Sequence, residues 1–283
     1  MISNYKNILI VGLGLIGGSY AKGLRKHGCS VSAITRSQST IDYALEHHII
    51  DKGTTAEDPS FIGEADLVIF GLYPTTMVDW IERNQQHFKS GALLTDVSGV
   101  KCGIVDKIQS FLREDVEFIG SHPMAGKEVY GVENSDDAIF KGANFIVTPT
   151  EKNSPEAIAL AKNLAEILQF GHITELTIEE HDEMIGFVSQ LTHAVAVSLM
   201  NTSDNTHLKD YTGDSFRDLT RIAKINETMW TELFFLNKKN LVREIDDFIA
   251  SLENLKQTIV QEDEEAIKKL FIQSTERRKY FDK

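Results

Sequence analysis

Three glycines, set as Gly12-Leu13-Gly14-Leu15-Ile16-Gly17 directly after the apolar run Asn7-Ile-Leu-Ile-Val11, constrain this chain more than any other feature. An apolar run of that length reads as a buried strand, and the residues from Gly17 onward read as a helix. Between a strand and a helix, this spacing is the dinucleotide-binding fingerprint. Gly12 permits the tight turn, Gly14 lets backbone approach a pyrophosphate, and Gly17 lets helix and strand pack closely. The free N–H groups of the helix N-terminus then face the phosphates. The plainer alternative is a glycine-rich turn with no ligand.

The pattern after the fingerprint extends the same theme. Short apolar runs at Ile8–Val11, Val31–Thr35, Leu67–Gly71, Leu93–Asp96, Glu117–Gly120 and Asn144–Pro149 alternate with helical patterns at Gly17–Lys26, Thr40–Glu46, Met77–Gln86 and Gly103–Leu112. Such alternation predicts an α/β domain, a Rossmann-type doubly wound sheet over residues 1–177. Ser154-Pro155 opens one more helix, with Ser at the cap and Pro in the first turn. His172–Leu176 then closes the edge of the sheet. At Thr177-Ile-Glu-Glu180 a capping-box spacing begins an all-α region, residues 178–283. Helices are expected at Glu179–Asn201, Phe216–Lys224, Glu227–Gln261 and Glu264–Phe281. The first is apolar nearly all round, through Met184, Ile185, Phe187, Val188, Leu191, Val195, Val197 and Leu199, so it needs cover on every side. Another subunit is the readiest cover, which predicts a homodimer through the helical domain.

With 42% apolar and 25% charged residues over 283, the chain has ample material for real cores. Its formal net charge of −13 argues against a nucleic acid or an anionic membrane as partner. That charge also requires any phosphate-bearing cofactor to be met by local cations or helix N-termini. Cys29 and Cys102 are far apart and outside any CxxC spacing, so neither a disulfide framework nor a metal site is expected. With no signal-peptide pattern and no apolar run judged long enough to span a bilayer, a cytoplasmic location is expected.

At the end of the second predicted strand an acidic residue would ordinarily hold the adenosine ribose. Here stands Thr35-Arg36-Ser37. An arginine flanked by hydroxyls suits a 2′-phosphate, which favours NADP over NAD. The alternative has Arg36 stacked on the adenine and indifferent to the phosphate.

A nicotinamide enzyme that oxidises an alcohol needs a group to take the hydroxyl proton as hydride leaves. His122, in His122-Pro-Met-Ala-Gly126 on an expected rigid loop, is a natural candidate, set against a histidine held in a pre-proline turn for structural reasons. Arg217 and Arg221 are four apart on a predicted helix and share a face. A surface pair of Arg217 with Asp218 or Asp214 is equally open.

Taken together, the fingerprint, Asp96-Val-Ser-Gly-Val-Lys101, His122-Pro-Met-Ala-Gly126 with Glu128, His181-Asp182, Leu191-Thr-His193-Ala, and Phe216-Arg-Asp-Leu-Thr-Arg221-Ile-Ala with Trp230 resemble the prephenate/arogenate dehydrogenase family of tyrosine biosynthesis. The resemblance covers nearly the whole chain. It implies a Rossmann domain joined to a helical dimerisation domain, and oxidative decarboxylation of prephenate or arogenate. By that resemblance His122 draws off the hydroxyl proton and Arg221 clamps the ring carboxylate. By the same resemblance His193 contacts substrate, with a satisfied core histidine as the alternative, and Lys101 lies near the nicotinamide end; Ser189, one turn before His193 on the same face, is a candidate to bind the side-chain carboxylate. Glu128 and Trp230 gate or wall the pocket, with a purely structural Trp230 equally open.

There are departures. The family's serine before Val-Lys is Gly99 here, so its assistance to the histidine passes to Ser98, to a water, or is absent. The helical motif often written SHLPH reads Ser189-Gln-Leu-Thr-His193. No fused mutase or regulatory domain is expected, so tyrosine feedback would act at the active site. Three other readings stand beside prephenate dehydrogenase: arogenate dehydrogenase, a β-hydroxyacid dehydrogenase-like oxidoreductase, and a nucleotide-sensing module without catalysis. The second calls for a lysine or aspartate in the helical domain; the third leaves the arginine–histidine set unexplained.

Overall fold

The computed structural model describes residues Lys6–Phe281. The chain forms two compact units, one running to Asn237 and one beginning at Lys238. The first unit opens with β1 (Asn7–Val11), α1 (Leu15–Lys26), β2 (Ser30–Ile34), α2 (Gln38–Glu46), β3 (Lys52–Thr54), α3 (Pro59–Glu64) and β4 (Leu67–Phe70). It continues with α4 (Pro74–Asn84), β5 (Leu93–Asp96), α5 (Val105–Phe111), β6 (Glu117–Met124), β7 (Asn144–Thr148), α6 (Pro155–Ile167) and β8 (His172–Glu175).

All eight strands join one sheet in the order β3-β2-β1-β4-β5-β6-β7-β8. Every neighbouring pair is parallel apart from β6 with β7. This is the doubly wound α/β fold that the alternating pattern predicts. The strand order reverses beside β1, which pairs with both β2 and β4. Ligands of such sheets bind outside the carboxyl ends of the strands at that reversal, where Gly12 follows β1. Residues of β1 alternate between two apolar clusters, Ile8 and Ile10 on one face and Leu9 and Val11 on the other. One strand therefore feeds both layers of core, as burial between two helical layers requires.

Two differences from the pattern matter for function. β3 and α3 are short elements with no periodicity to announce them. More important, β6 does not stop at Gly120 but runs to Met124, so His122 stands on a strand and not on a loop. Pairing of β6 with β5 ends at Ile119, and from Gly120 onward only the antiparallel β7 side is used. Pro123 has no N–H to donate, and it is tolerated where one side of the strand carries no ladder.

After β8, a capping box forms as the spacing predicts: Thr177 Oγ1 accepts from Glu180 N at 3.1 Å, and Glu180 Oε2 accepts from Thr177 N at 2.9 Å. The helix it starts has three parts, α7 (Ile178–Ile185), a π-helical turn (Gly186–Leu191) and α8 (Thr192–Asn201). Then come α9 (Asp214–Thr220) and α10 (Glu227–Leu236). The single helix expected over Glu227–Gln261 is two. The break is at Asn237, whose buried side chain donates to Asp182 O and Gln190 Oε1, both at 2.8 Å. The second unit holds α11 (Lys238–Val260) and α12 (Glu264–Arg278).

By length and composition, Ile178–Asn201 is long and apolar enough to cross a membrane. That corrects the expectation that no apolar run qualifies. Its His181, Asp182 and Gln190 are nonetheless buried and hydrogen-bonded inside the first unit. Met184, Phe187 and Val188 on the same stretch stay exposed.

Candidate active site

His122 lies on β6 in register with Ile146 of β7 and is half-buried. Its Nδ1 is 2.9 Å from Nε2 of His181, and Nδ1 of His181 is 2.7 Å from Oδ1 of Asp182. Asp182 is a carboxylate ringed by donors: Oδ1 also accepts from Lys101 N at 2.8 Å, and Oδ2 accepts from Cys102 N at 2.8 Å. Burial alone would raise this carboxyl, but the hydrogen bond from His181 and the two backbone N–H groups hold it below the ordinary range. Both imidazoles shift the other way. Burial, then the neighbouring His181 and Lys101, pushes His122 well below the ordinary 6.5. Burial outweighs the pull of Asp182 and lowers His181 as well. At neutral pH both rings are therefore uncharged.

The loop after β5 supports this array. Lys101 is fully buried, and its ammonium donates to Asp96 Oδ2 at 2.6 Å, Ser121 O at 2.7 Å and Ser98 O at 3.0 Å. Its three protons are thus placed inside the protein. The expectation of Lys101 at the nicotinamide is corrected: the ammonium is an internal clamp with no surface to offer a ligand. Ser98 is corrected similarly. Its hydroxyl is buried against Asp96 Oδ2 and Val100 O, so it does not take over the assistance to His122. Position 99 does face the imidazole. A Cβ added to Gly99 would sit 3.7 and 3.8 Å from His122 Cε1 and Nε2, and 3.6 Å from Leu233. With glycine there, no side chain from position 99 covers Nε2.

Leu233 leads on to the residues expected to meet substrate. Leu233 and Trp230, three apart, share a face of α10. Trp230 stacks on His193 with ring centroids 3.7 Å apart. Nδ1 of His193 donates to the Ser189 carbonyl at 2.9 Å, which leaves Nε2 as the acceptor edge. Burial lowers the pKa of His193, the Ser189 carbonyl and Glu128 oppose that shift, and Arg221 adds to it. Arg221, just past α9, pairs its guanidinium with Glu128 beyond β6. Ser189 is half-buried in the π-turn, while Arg217 pairs with Asp214 at 3.0 Å. Glu128, His193, Arg221 and Trp230 thus form one set, while His122 and Leu233 both face position 99; Ser98 and Lys101 are buried.

The cradle at the switch point fits a dinucleotide. Gly12 has φ +95°, and a side chain there would collide with the Gly71 carbonyl. A side chain at Gly17 would strike the Gly12 carbonyl, whereas one at Gly14 would meet nothing within 4 Å. α1 begins at Leu15 after Gly14 at the N-cap, with no side-chain cap and no acidic residue in its first turn, the arrangement that receives a phosphate. Leu13 is buried in the core, so only its backbone can contribute; Leu15 and Ile16 are half-buried. Arg36 is exposed. Ser37 caps α2, accepting from Thr40 N at 3.2 Å, and Thr35 N bonds the Thr54 carbonyl at 3.2 Å.

Residues 20–172 match the family model of the prephenate dehydrogenase nucleotide-binding domain, and residues 177–273 match that of its dimerization domain. A prephenate dehydrogenase of Bacillus subtilis is 31% identical over 271 residues, covering 93% of this chain and 73% of the relative. The chain belongs to the prephenate dehydrogenase family. The crystal structure of a family member from A. aeolicus, in complex with hydroxyphenyl propionate and NAD+, superimposes with TM-score 0.89 at 33% identity, covering 98% of each chain. A Synechocystis arogenate dehydrogenase superimposes with TM-score 0.81 at 26% identity, covering 98% of this chain and all of that one.

Family membership divides the candidate site between the two matched domains. His122 and Glu128 come from the nucleotide-binding match, and His181, His193, Arg221 and Trp230 from the dimerization match. The residues without a role from sequence are His181, Asp182, Gln190 and Asn237. The signal was present in part: two adjacent ionisable residues at the start of an apolar helix must find partners if buried. Which partners they find depends on a strand 59 residues away, which no local pattern announces.

Proposed function

We propose that this member of the family oxidatively decarboxylates prephenate to 4-hydroxyphenylpyruvate, with NADP as hydride acceptor. The observation that carries the reading is the orientation of His122: Nδ1 is tied to His181, while Nε2 faces position 99, where glycine offers no side chain to cover it.

The residues account for the chemistry. A bound nicotinamide supplies the acceptor for the hydride that leaves C4 of the substrate. His122 Nε2 accepts the proton of the C4 hydroxyl as the carbon–oxygen bond becomes carbonyl-like. The C1 carboxylate departs as CO2, its bonding pair enters the ring, and the oxygen regains a proton as the phenol. Aromatisation drives the step, so the protein chiefly orients the ring and polarises the hydroxyl. Arg221 exchanges Glu128 for the ring carboxylate, an exchange of one carboxylate partner for another that a guanidinium fork suits. Glu128 thereby gates the pocket. His193 and Ser189 meet the side chain of the substrate, and Trp230 walls the ring.

Residues 12–17 hold the pyrophosphate, and Arg36 selects the 2′-phosphate; no carboxylate in Thr35-Arg36-Ser37 opposes it. The functional halves are 1–177 for the dinucleotide and 178–283 for substrate and dimerisation. The compact units part later, at Asn237, because Ile178 and Leu233 pack into the core of the sheet. A homodimer covers the exposed Met184, Phe187 and Val188.

The test mixes purified protein with prephenate or arogenate, each with NADP or NAD, and follows reduced-cofactor absorbance. Prephenate with NADP is expected to be fastest. Faster turnover of arogenate reverses the substrate assignment, faster turnover with NAD reverses the role of Arg36, and silence in all four combinations indicates a nucleotide-sensing module.

A further inference from the structure

We infer that His181 and Asp182 are positioning residues: they lock His122 in the one tautomer whose Nε2 can accept a proton, so the helical half of the chain sets the base that the sheet carries. The inference rests on reading His122 as the base.

Lys101 anchors its loop through a fully buried ammonium. The same loop turns the N–H groups of Lys101 and Cys102 onto Asp182, each at 2.8 Å. Asp182, an acceptor at every lone pair in use, leaves His181 Nδ1 only one role, that of donor at 2.7 Å. A neutral imidazole that donates from one nitrogen accepts at the other. His181 Nε2 therefore accepts, and at 2.9 Å His122 Nδ1 must donate to it. The proton of neutral His122 is then on Nδ1, and Nε2 carries the lone pair. Had His181 been protonated on both nitrogens, His122 Nδ1 would accept, and Nε2 would hold the proton and be useless as a base. Burial opposes that state for both rings.

The charged groups facing the relay are Asp182, Lys101 and Asp96. Lys101 and Asp96 pair with each other at 2.6 Å, which leaves Asp182 as the charge that favours the imidazolium formed once His122 has taken the hydroxyl proton. Neither His181 nor Asp182 needs to change protonation during turnover. An orienting carboxylate behind a base histidine has this effect elsewhere in enzymes, where loss of the correct tautomer is costly. Leu233 O also holds Gln190 at 3.1 Å, and Asn237 bonds both Gln190 and the Asp182 carbonyl. α7 is thereby pinned at Asp182 itself.

The test has two arms. In the 15N–1H spectrum of histidine-labelled wild-type protein near neutral pH, with His122 assigned by its absence from His122→Asn, His122 should show a protonated Nδ1 and a bare Nε2. A protonated Nε2 overturns the proposal whatever the kinetics are. In the second arm, His181→Gln is compared with His181→Leu. Glutamine presents a carbonyl oxygen near the place of Nε2 and keeps an acceptor for His122, whereas leucine keeps only the bulk. The leucine variant should lose about a hundredfold in kcat, with substrate KM and dinucleotide Kd within about twofold, and glutamine should restore most of the loss. Equal rates for the two variants overturn the relay. Should His122→Asn turn over normally, it is the assignment of the base that fails, and the spectrum still decides the tautomer.

Discussion

Around Gly12–Gly17 the site is made of backbone, whereas around His122 it is made of buried side chains. At the first end nothing ionisable is needed: a positive-φ glycine, an open Cβ position and an uncapped helix N-terminus suffice. At the second, five polar groups (Asp96, Lys101, Asp182, His181 and His122) are hydrogen-bonded into one array. Backbone sites tolerate change as long as shape is kept. Buried polar arrays do not, because removing one member strands the next. The two ends should therefore fail differently.

The largest effect is expected where the array is anchored. Lys101→Met leaves Asp96 charged and unpaired in the interior, which costs about 3–5 kcal/mol. A large fall in the denaturant midpoint is expected, with dinucleotide affinity of the remaining folded protein unchanged. A variant that melts like the parent but no longer binds dinucleotide would make Lys101 a ligand and erase the contrast.

Next is the reacting group itself. His122→Asn should lower kcat by about a hundredfold or more while dinucleotide affinity holds. A near-normal rate removes His122 as the base. Arg221→Gln should act on binding, raising the prephenate KM by about tenfold with a smaller change in kcat. Arg221 is largely exposed, so unfolding of that variant would mark it as a structural clamp and shift the boundary between the two kinds of site.

The smallest effect is on stability against pH. His122, His181 and His193 are all held below the ordinary 6.5 in the folded state. The unfolded chain takes up protons first as pH falls through about 6.5, so the stability present above that pH declines toward the folded values. Asp182, whose carboxyl is also depressed, adds loss of the same sign at lower pH. Urea midpoints compared at pH 7.5 and 5.5 should fall; a flat or rising trend means these rings are not neutral when folded.

The cradle was legible in sequence because it depends on local rules. Gly12, Gly14 and Gly17 report a turn and a helix start within six residues, and the apolar runs report strands that have helices on both faces. The capping box at Thr177 and the cap at Ser154 were legible for the same reason. The array was not. Lys101 in a family motif looks like a cation for a ligand, and only tertiary contact shows that its ammonium is sealed against Asp96. His122 looked like a loop residue because Pro123 usually ends a strand, and the one-sided pairing that admits the proline is a property of the assembled sheet. Asn237 sits inside a continuous helical pattern, yet its side chain bonds Gln190 and the Asp182 carbonyl, and the helix ends.

One further consequence belongs to the π-turn over Gly186–Leu191. Such a turn holds one residue more than an α-helix would use, and each helical residue advances the azimuth by about 100°. Were Gly186–Leu191 to adopt regular α-helical geometry with all its residues kept, everything downstream would swing by about that angle. His193 would then leave the indole of Trp230 while the His181 end stayed in place. That surplus residue sets the phase between the two histidines of the helix.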